Sequence, residues 1–429
     1  MNDLVSMVDD MMNYSAGRVL VVGMGVSGIA TAARLHAAGW TPVLVERAPQ
    51  RRSGGYFVAL FGAGKAAAAR LGMGAELHDR ASATPPLAID RHGRARPGIG
   101  LDGLPEKPWL MLRGDAERAA YSVLPEDVEI RYSTVPTAIA QDADGVDVTL
   151  LDNATGTSVT ERFDLVVGAD GLRSTVRSLV FGPHADHLHR LGYMVAAFEY
   201  DGTPAGLAPR QGATLLEPGR SMWVFAFADH NPTIMLTYRT DDVDAEFAQP
   251  AAQRIRAAFG PEPLGRTLDD VLDRFESARD ALFDSVEQVR MPRWHRGRVV
   301  LVGDSAWCVT LYAGMGVSSG LAGADMLGAM LERHDDIETA LTEWERALRP
   351  YIDNYQDSAF GDRKIFMADN RLEVMLRRTL PKLTRTKFGG RLVERVMRQG
   401  DGMELKNADI VGTALELVPT GGTRGGGTT

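Results

Sequence analysis

Three glycines near the start of the chain, Gly23, Gly25 and Gly28, have the spacing of a turn that binds a dinucleotide. They stand in the segment GMGVSG, after the apolar run RVLVV and before the helical pattern IATAARLHAAG. The first glycine would allow a tight turn, the second would let the backbone approach a pyrophosphate, and the third would let helix and strand pack closely. The amides of Val26 and Ser27, at the helix N terminus, would then face the phosphate charge.

A carboxylate follows at the position that this motif requires. Glu46 ends the next apolar run, TPVLVE, where an acidic side chain can bind the ribose hydroxyls. Arg47 leaves an alternative open, because an arginine there can instead pair with the 2′-phosphate of NADP. The glycines alone are weak evidence, since the chain has 46 of them and a merely structural turn would look the same. The strand, turn, helix and strand in this order favour dinucleotide binding.

Two later apolar runs end in similar turns. FDLVV at 163–167 precedes GADG, and RVVLV at 298–302 precedes GDSA. Ligands of a doubly wound sheet collect at the carboxyl ends of its strands, so all three turns are predicted to border one elongated cofactor. FAD explains all three, whereas a nicotinamide dinucleotide needs only the first. Taken alone, Asp304 could be a helix-capping or turn residue, and Asp170 could close an Asp-Gly turn.

The chain resembles the single-component, FAD-dependent aromatic hydroxylases of the p-hydroxybenzoate hydroxylase type. The matching segments are the first glycine motif with its Glu-Arg pair, GADGLRSTVR at 168–177 and RVVLVGDSA at 298–306, within a resemblance over about 18–358. The resemblance implies that Asp304 hydrogen-bonds a ribityl hydroxyl and that Asp170 supports the flavin and a passing NAD(P)H. It also implies that Arg113 lies near the ribityl chain, although a surface ion pair is the alternative. Val135, which lies outside the glycine-rich loops, is also predicted to bind the cofactor.

The segment GDSAWCVTLYAGMG, residues 303–316, is predicted to lead into a helix that begins at Gly316. No Ser, Thr, Asp or Asn stands directly before it as a cap. The amides of Met315, Gly316 and Val317, together with the positive helix end, would stabilise the negative charge of a reduced flavin. Gly314 belongs to the same predicted site. In the alternative, Gly316 itself caps the helix and water binds the remaining amides.

The family commonly has GDAAHLMPPFAGQG over these fourteen positions. Here Trp307 replaces the histidine, and Thr310 and Leu311 replace the two prolines. We therefore expect a changed pocket wall and a less rigid loop beside the reactive edge of the flavin. Cys308 is expected to be a small buried residue rather than a nucleophile.

The segment 213–240 alternates in the manner of β-strands and breaks at ADHNP. This pattern predicts an antiparallel sheet that packs over the cofactor. The predicted substrate-contacting residues are Trp223, Phe225, Phe227, Met235 and Tyr238, joined by Thr310 and Leu311. The alternative is that these aromatic side chains are simply core.

The predicted fold class is α/β: a doubly wound, Rossmann-like FAD-binding domain of the GR2 type, with an inserted antiparallel β-sheet substrate domain and C-terminal helices. The predicted divisions are an N-terminal extension (1–17), the FAD-binding domain (18–85, 110–185 and 285–345), the substrate domain (86–109 and 186–284), a C-terminal helical region (346–415) and a disordered tail (416–429).

Composition limits the function classes. A net charge of −9 argues against general nucleic-acid binding. The single cysteine excludes an internal disulfide framework and favours a reducing compartment, so we expect a cytoplasmic protein. Without a run of roughly 20 apolar residues, no membrane span is expected. A monomer or a homodimer is expected, and no metal site is predicted.

The resemblance implies a monooxygenase in which NADPH or NADH, as a transient co-substrate, reduces FAD. O2 then forms a C4a-hydroperoxyflavin that transfers one oxygen to an aromatic or polyketide-like small molecule. The sequence at 51–73 is most similar to that of antibiotic- and polyketide-acting members of the family, including tetracycline-modifying monooxygenases. No acid or base pair is predicted as catalytic. Two alternatives stay open: a non-oxygenating flavoprotein reductase, and a flavin-holding, drug-binding protein without oxygen transfer.

Overall fold

A computed structural model describes residues 16–51, 55–98, 107–278, 280–375 and 401–417. Residues 1–15 of the predicted N-terminal extension, residues 376–400 of the predicted helical region and residues 418–429 of the predicted tail lie outside the described residues. The strands are β1 (Gly17–Val22), β2 (Trp40–Val45), β3 (Phe57–Leu60), β4 (Leu87–Ile89), β5 (Ala95–Pro97), β6 (Trp109–Leu112), β7 (Glu129–Arg131), β8 (Thr134–Gln141), β9 (Val146–Asp152), β10 (Ser158–Phe163), β11 (Leu165–Gly168), β12 (Leu188–Glu199), β13 (Ala213–Glu217), β14 (Arg220–Phe225), β15 (Thr233–Arg239), β16 (Leu282–Val289), β17 (His295–Arg296) and β18 (Val299–Leu301).

The helices are α1 (Val26–Ala37), α2 (Gly62–Arg70), α3 (Arg113–Ser122), α4 (Thr175–Val180), α5 (Val243–Phe247), α6 (Ala251–Phe259), α7 (Arg266–Ser277), α8 (Asp304–Trp307), α9 (Gly316–Arg333), α10 (Ile337–Phe366), α11 (Asp401–Asn407) and α12 (Ile410–Leu417). Within the described part of the chain, no helix is long and apolar enough to cross a membrane.

A six-stranded sheet forms the centre of the fold, with the strand order β17-β18-β11-β1-β2-β7. The predicted unit of strand, helix and strand is confirmed as β1, α1 and β2, and the two later apolar runs form β11 and β18. These four strands run parallel, and their Val- and Leu-rich interiors are buried, as expected of a parallel sheet covered on both faces. The carboxyl ends of β1, β11 and β18 therefore lie side by side.

A seven-stranded sheet has the order β16-β12-β15-β14-β13-β4-β5. Its central pairings are antiparallel, and its helical cover is α5 to α7, whose apolar side chains pack on one of its faces. Two details differ from the sequence predictions. The predicted boundary at 284/285 falls inside β16, because this strand pairs with β12. The alternating segment before ADHNP forms two strands, β13 and β14, because the chain turns at Gly219, where φ is +73°.

Two smaller sheets, β8-β9-β10 and β3-β6, complete the strands. The long helix α10 buries Trp344, Leu348, Ile352 and Tyr355 on one face, at helical spacing. Helix α11 is tied to it by the Tyr355 hydroxyl, which donates to the Leu405 carbonyl at 2.8 Å. Helix α11 also packs against α2.

Candidate active site

A cavity of about 590 Å³ is lined by the turns that follow strands of the six-stranded sheet, by strands of the seven-stranded sheet and by the C-terminal helices. One end lies at the turns that follow β1, β2 and β11. The other end lies beneath the seven-stranded sheet, where Val195, Ala197, Phe225 and Met235 line it. The turn after β18 lies between these ends, so a single space joins the predicted cofactor and substrate regions.

The first glycine turn has the shape that a pyrophosphate needs. Gly23 has φ of +104°, and a Cβ there would lie 2.5 Å from the Ala169 carbonyl oxygen. A Cβ on Gly28 would lie 1.9 Å from the Gly23 carbonyl oxygen, so this residue packs the helix against the turn rather than lining the cavity. Gly25 opens onto the cavity, and α1 begins beside it without a side-chain cap. The turn leaves room and backbone amides for an anion.

Glu46 lines the cavity and braces the same turn. Its carboxylate accepts from the amides of Met24 and Ala48, both at 2.9 Å. These bonds fix the carboxylate at the edge of the cavity, next to Arg47, which also lines it. A hydroxyl-rich ligand at this end would meet an oriented acceptor.

Asp170 lines the cavity but is largely satisfied by the protein. It accepts from the Ser174 hydroxyl at 2.5 Å, the Thr175 amide at 2.6 Å and the Val176 amide at 3.2 Å. Asp170 therefore stabilises the N terminus of α4. The alternative that the sequence offers for Asp170 is an Asp-Gly turn, whereas its bonds are to the start of this helix.

Asp304 presents its carboxyl group to the cavity. Although Asp304 is exposed to the cavity, the surrounding protein raises the pKa of its carboxyl above the usual value, because partial removal from bulk water disfavours the charged form, while attraction to Arg113 opposes the shift. Arg113 lines the same stretch and pairs with Glu117 at 2.6 Å. Cys308 is half-buried and lines the cavity, and burial raises the pKa of its thiol well above the usual value. A protonated thiol is a poor nucleophile.

Helix α9 begins at Gly316, as predicted, and no side chain caps it. Gly314, Gly316 and Val317 line the cavity, whereas the Met315 side chain is fully buried. The positive end of an 18-residue helix thus faces the cavity. This end suits a ligand that carries negative charge.

Trp307 does not form part of the pocket wall, contrary to expectation. Its ring is buried against Trp294 and Trp344, with ring centroids 4.8 Å and 5.8 Å away, and its Nε1 donates to Ser319 Oγ. The reason is that α8 turns this side chain inward, toward α9 and α10. Thr310 and Leu311 do line the cavity.

The loop that lost its prolines is held by other contacts. Gln356 on α10 donates from Nε2 to the carbonyls of Val289 at 2.7 Å and Trp307 at 3.2 Å. The Tyr312 hydroxyl lies 3.1 Å from Thr237 Oγ1. Thr310 has φ of +73°, a strained conformation for a β-branched residue. The loop is thus fixed by tertiary contacts rather than by its own residue types.

The predicted substrate residues divide into three groups. Phe225 and Met235 line the cavity. Trp223 packs behind Phe225 with ring centroids 5.8 Å apart, and its Nε1 donates to the Phe366 carbonyl. Phe227 and Tyr238 do not line the cavity, contrary to the prediction. Phe227 lies beyond the end of β14, fully buried beside Ala81.

Tyr238 faces away from the cavity because it stands three residues after Met235 on β15, and alternate residues of a strand face opposite sides. Its hydroxyl donates to Glu246 at 2.7 Å. Val135 lies on β8, outside the cavity lining. Phe227, Tyr238 and Val135, which were predicted to contact the substrate or the cofactor, therefore lie outside the cavity lining.

Sequence reasoning missed several residues that line the substrate end. Phe57 on β3 stacks on Phe225 with ring centroids 3.9 Å apart. Phe366 at the end of α10, and Lys406 of α11 with its partner Asp362, also contribute. No local pattern marks these positions, since they meet only through the packing of distant elements.

One cavity thus joins glycine turns at adjacent strand ends, two uncapped helix N termini and an apolar chamber. This arrangement is that of a flavoprotein with an aromatic-hydroxylase fold. A model of the FAD binding domain family matches residues 118–334. An uncharacterized protein of Mycobacterium tuberculosis is 30% identical over 360 residues, covering 79% of this chain and 91% of the relative. The chain belongs to the FAD-dependent aromatic hydroxylase family.

Two further comparisons describe its neighbours. A flavin-dependent monooxygenase of Legionella longbeachae is 26% identical over 349 residues, covering 79% of this chain and 87% of the relative. The crystal structure of tetracycline destructase Tet(55) superposes with a TM-score of 0.74 at 23% identity, covering 92% of this chain and 97% of the other. The latter likeness is one of fold.

Proposed function

We propose that the protein is an FAD-dependent monooxygenase that hydroxylates an aromatic or polyketide-like small molecule with NADPH or NADH and O2. The observation that carries the proposal is the continuity of one cavity, from the glycine turns to the apolar chamber beneath the seven-stranded sheet. In the balanced reaction, NAD(P)H, a proton, O2 and the substrate give NAD(P)+, water and the hydroxylated product. One oxygen atom forms the new hydroxyl group, and the other leaves as water.

The residues at the first end of the cavity fit the non-reacting part of FAD. The turn at Gly25 and the N terminus of α1 would bind the pyrophosphate, and Glu46 would accept from the ribose hydroxyls. Asp304 would accept from a ribityl hydroxyl. When bound, the flavin takes a hydride from NAD(P)H and delivers oxygen to the substrate.

The protein supplies charge placement and the exclusion of water. The N terminus of α9, at Gly316 and Val317, would stabilise negative charge on the pyrimidine side of the flavin by about 1 kcal/mol. Phe57, Phe225 and Phe366 give the other end an apolar surface that water wets poorly. A dry chamber protects a reactive oxygen donor from wasteful decay.

The test is oxygen transfer by the FAD-loaded protein. NADPH and NADH are supplied in turn with polycyclic phenols, tetracyclines and related polyketides, the last two because a structural neighbour is titled a tetracycline destructase. We expect substrate-stimulated NAD(P)H oxidation and a product that gains one labelled oxygen atom from ¹⁸O2, detected by mass spectrometry.

Other outcomes separate the alternatives. Stimulated NAD(P)H oxidation without an oxygenated product would favour a reductase, and tight ligand binding without NAD(P)H oxidation would favour a drug-binding protein. Apoprotein that binds no FAD would contradict the whole proposal. We also propose a cytoplasmic location, which the single cysteine supports, and a monomer or homodimer.

A further inference from the structure

The charges around the cavity are unevenly distributed. Among the described residues, seven acidic and five cationic side chains line it. Two of the cations, Arg47 and Arg51, follow Glu46 at the end proposed for the adenosine of the cofactor. The remaining three described cations are Arg113, Arg173 and Lys406. Arg113 lines the same stretch as Asp304, which is assigned to the ribityl chain, so Arg173 and Lys406 are the described cations that a substrate could meet.

Each of these three cations already has a carboxylate partner. The Arg113 guanidinium lies 2.6 Å from Glu117, as does that of Arg173 from Asp284. Lys406 Nζ lies 2.8 Å from Asp362 and stands over the Phe61 ring. A substrate carboxylate would have to share a cation that a protein carboxylate already neutralises, displace that carboxylate or remain unpaired, so each pair attracts it less than a free cation would. An unpaired charge away from water is costly.

The rest of the substrate end has few groups that could stabilise a bound anion. Phe57 and Phe225 stack on each other with an interplanar angle of 7°, so each ring covers one face of the other, and the pair adds an apolar aromatic surface to this end. Glu287 on β16 is 4% exposed, and its Oε2 has no hydrogen-bond partner among the described residues. Its other oxygen, Oε1, lies 3.8 Å from Arg173 and from Arg190, so the negative charge is only partly compensated. A second negative charge nearby would still be repelled.

We infer that the substrate is a planar aromatic molecule that is uncharged or basic where it binds, and that aromatic carboxylates are excluded. The inference rests on the proposed function in one respect: it takes this end of the cavity as the substrate site. The apolar aromatic surface favours an aromatic ring, and the pre-paired cations select against the carboxylate.

The first test compares a matched pair of ligands, 2-naphthol and 3-hydroxy-2-naphthoate, which differ by one carboxylate. Binding to the FAD-loaded protein is followed by the change in flavin absorbance near neutral pH, without NAD(P)H. We expect 2-naphthol to bind at least about tenfold more tightly. Equal or tighter binding of the carboxylate, or no binding of either ligand, would overturn the inference. Because no turnover is needed, this result is independent of whether oxygen transfer occurs.

The second test releases a cation. In Asp362→Asn, Lys406 loses its anionic partner, so the ratio of the two dissociation constants should shift about tenfold toward the carboxylate. The double variant Asp362→Asn/Lys406→Met is the matched control, and it should restore the original preference. A ratio that stays unchanged in Asp362→Asn would contradict the role given to the Lys406–Asp362 pair. Thermal unfolding of each FAD-loaded variant verifies that it is folded.

Discussion

At the scale of single residues, Asp304 offers a direct test of the cofactor site. Its carboxyl opens onto the cavity, unlike that of Asp170, which is occupied by the start of α4. We predict that Asp304→Ala weakens FAD binding by about 2 kcal/mol, roughly thirtyfold, through loss of an acceptor for a ribityl hydroxyl. Titration of apoprotein with FAD, followed by flavin fluorescence, measures this. Asp335→Ala, at an exposed carboxylate, is the control, and equal affinities would refute the role of Asp304.

Thr310 gives a second prediction at this scale. Its φ of +73° cannot be adopted by proline, whose ring holds φ near −65°. Restoring the proline of the family pattern by Thr310→Pro should therefore destabilise the protein by about 3 kcal/mol or more. Thr310→Gly, which tolerates this φ, should be neutral or stabilising by about 1 kcal/mol. Urea unfolding of both variants checks the order, and a stable proline variant would show that the loop adopts another conformation.

At the scale of elements, α10 acts as the support of the flavin-side loop. Gln356→Met keeps the side-chain volume but removes the donor to the Val289 and Trp307 carbonyls. We predict a loss of about 1–3 kcal/mol in unfolding free energy, because buried acceptors are left unpaired. Faster release of FAD, measured by dilution of the loaded protein, should accompany it. The exposed substitution Arg346→Met on the same helix is the control, and matching values in both variants would contradict this supporting role.

The elements also explain what sequence could predict. The turns after β1, β11 and β18 were predictable because each is a local pattern: an apolar run that ends at a glycine, with a glycine-rich turn after β1 and an aspartate after β11 and β18. Trp307 and Tyr238 were assigned to the pocket wrongly, because the side on which each faces depends on α8 and on strand register. Phe57 and Lys406 were not predicted individually, since only tertiary packing brings β3 and α11 to the substrate end.

At the scale of the whole molecule, protonation of Glu246 makes the free energy of unfolding depend on pH. Arg254 and the hydroxyls of Tyr238 and Thr240 hold its carboxylate, and these bonds lower its pKa from 4.5 to about 2. A lowered pKa in the folded state gives stability that is present above about pH 4.5 and is lost as the pH falls toward 2. The full contribution is about 3 kcal/mol.

We therefore predict that the wild-type protein loses about 2 kcal/mol of this contribution by about pH 3. Glu246→Gln should be less stable at neutral pH and should lack this part of the pH dependence. Urea unfolding at several pH values measures both. Parallel pH profiles for the variant and the wild type would show that Glu246 does not carry the effect.

The cluster of Trp294, Trp307 and Trp344 has an optical consequence. Three indoles within 6 Å of one another, centroid to centroid, are buried directly behind a loop that lines the cavity. Indole emission overlaps the near-ultraviolet and blue absorption of oxidised flavin, so energy transfer should darken the cluster whenever FAD is bound. The intrinsic tryptophan fluorescence of the protein should therefore report the fraction of sites that hold FAD, without any added label.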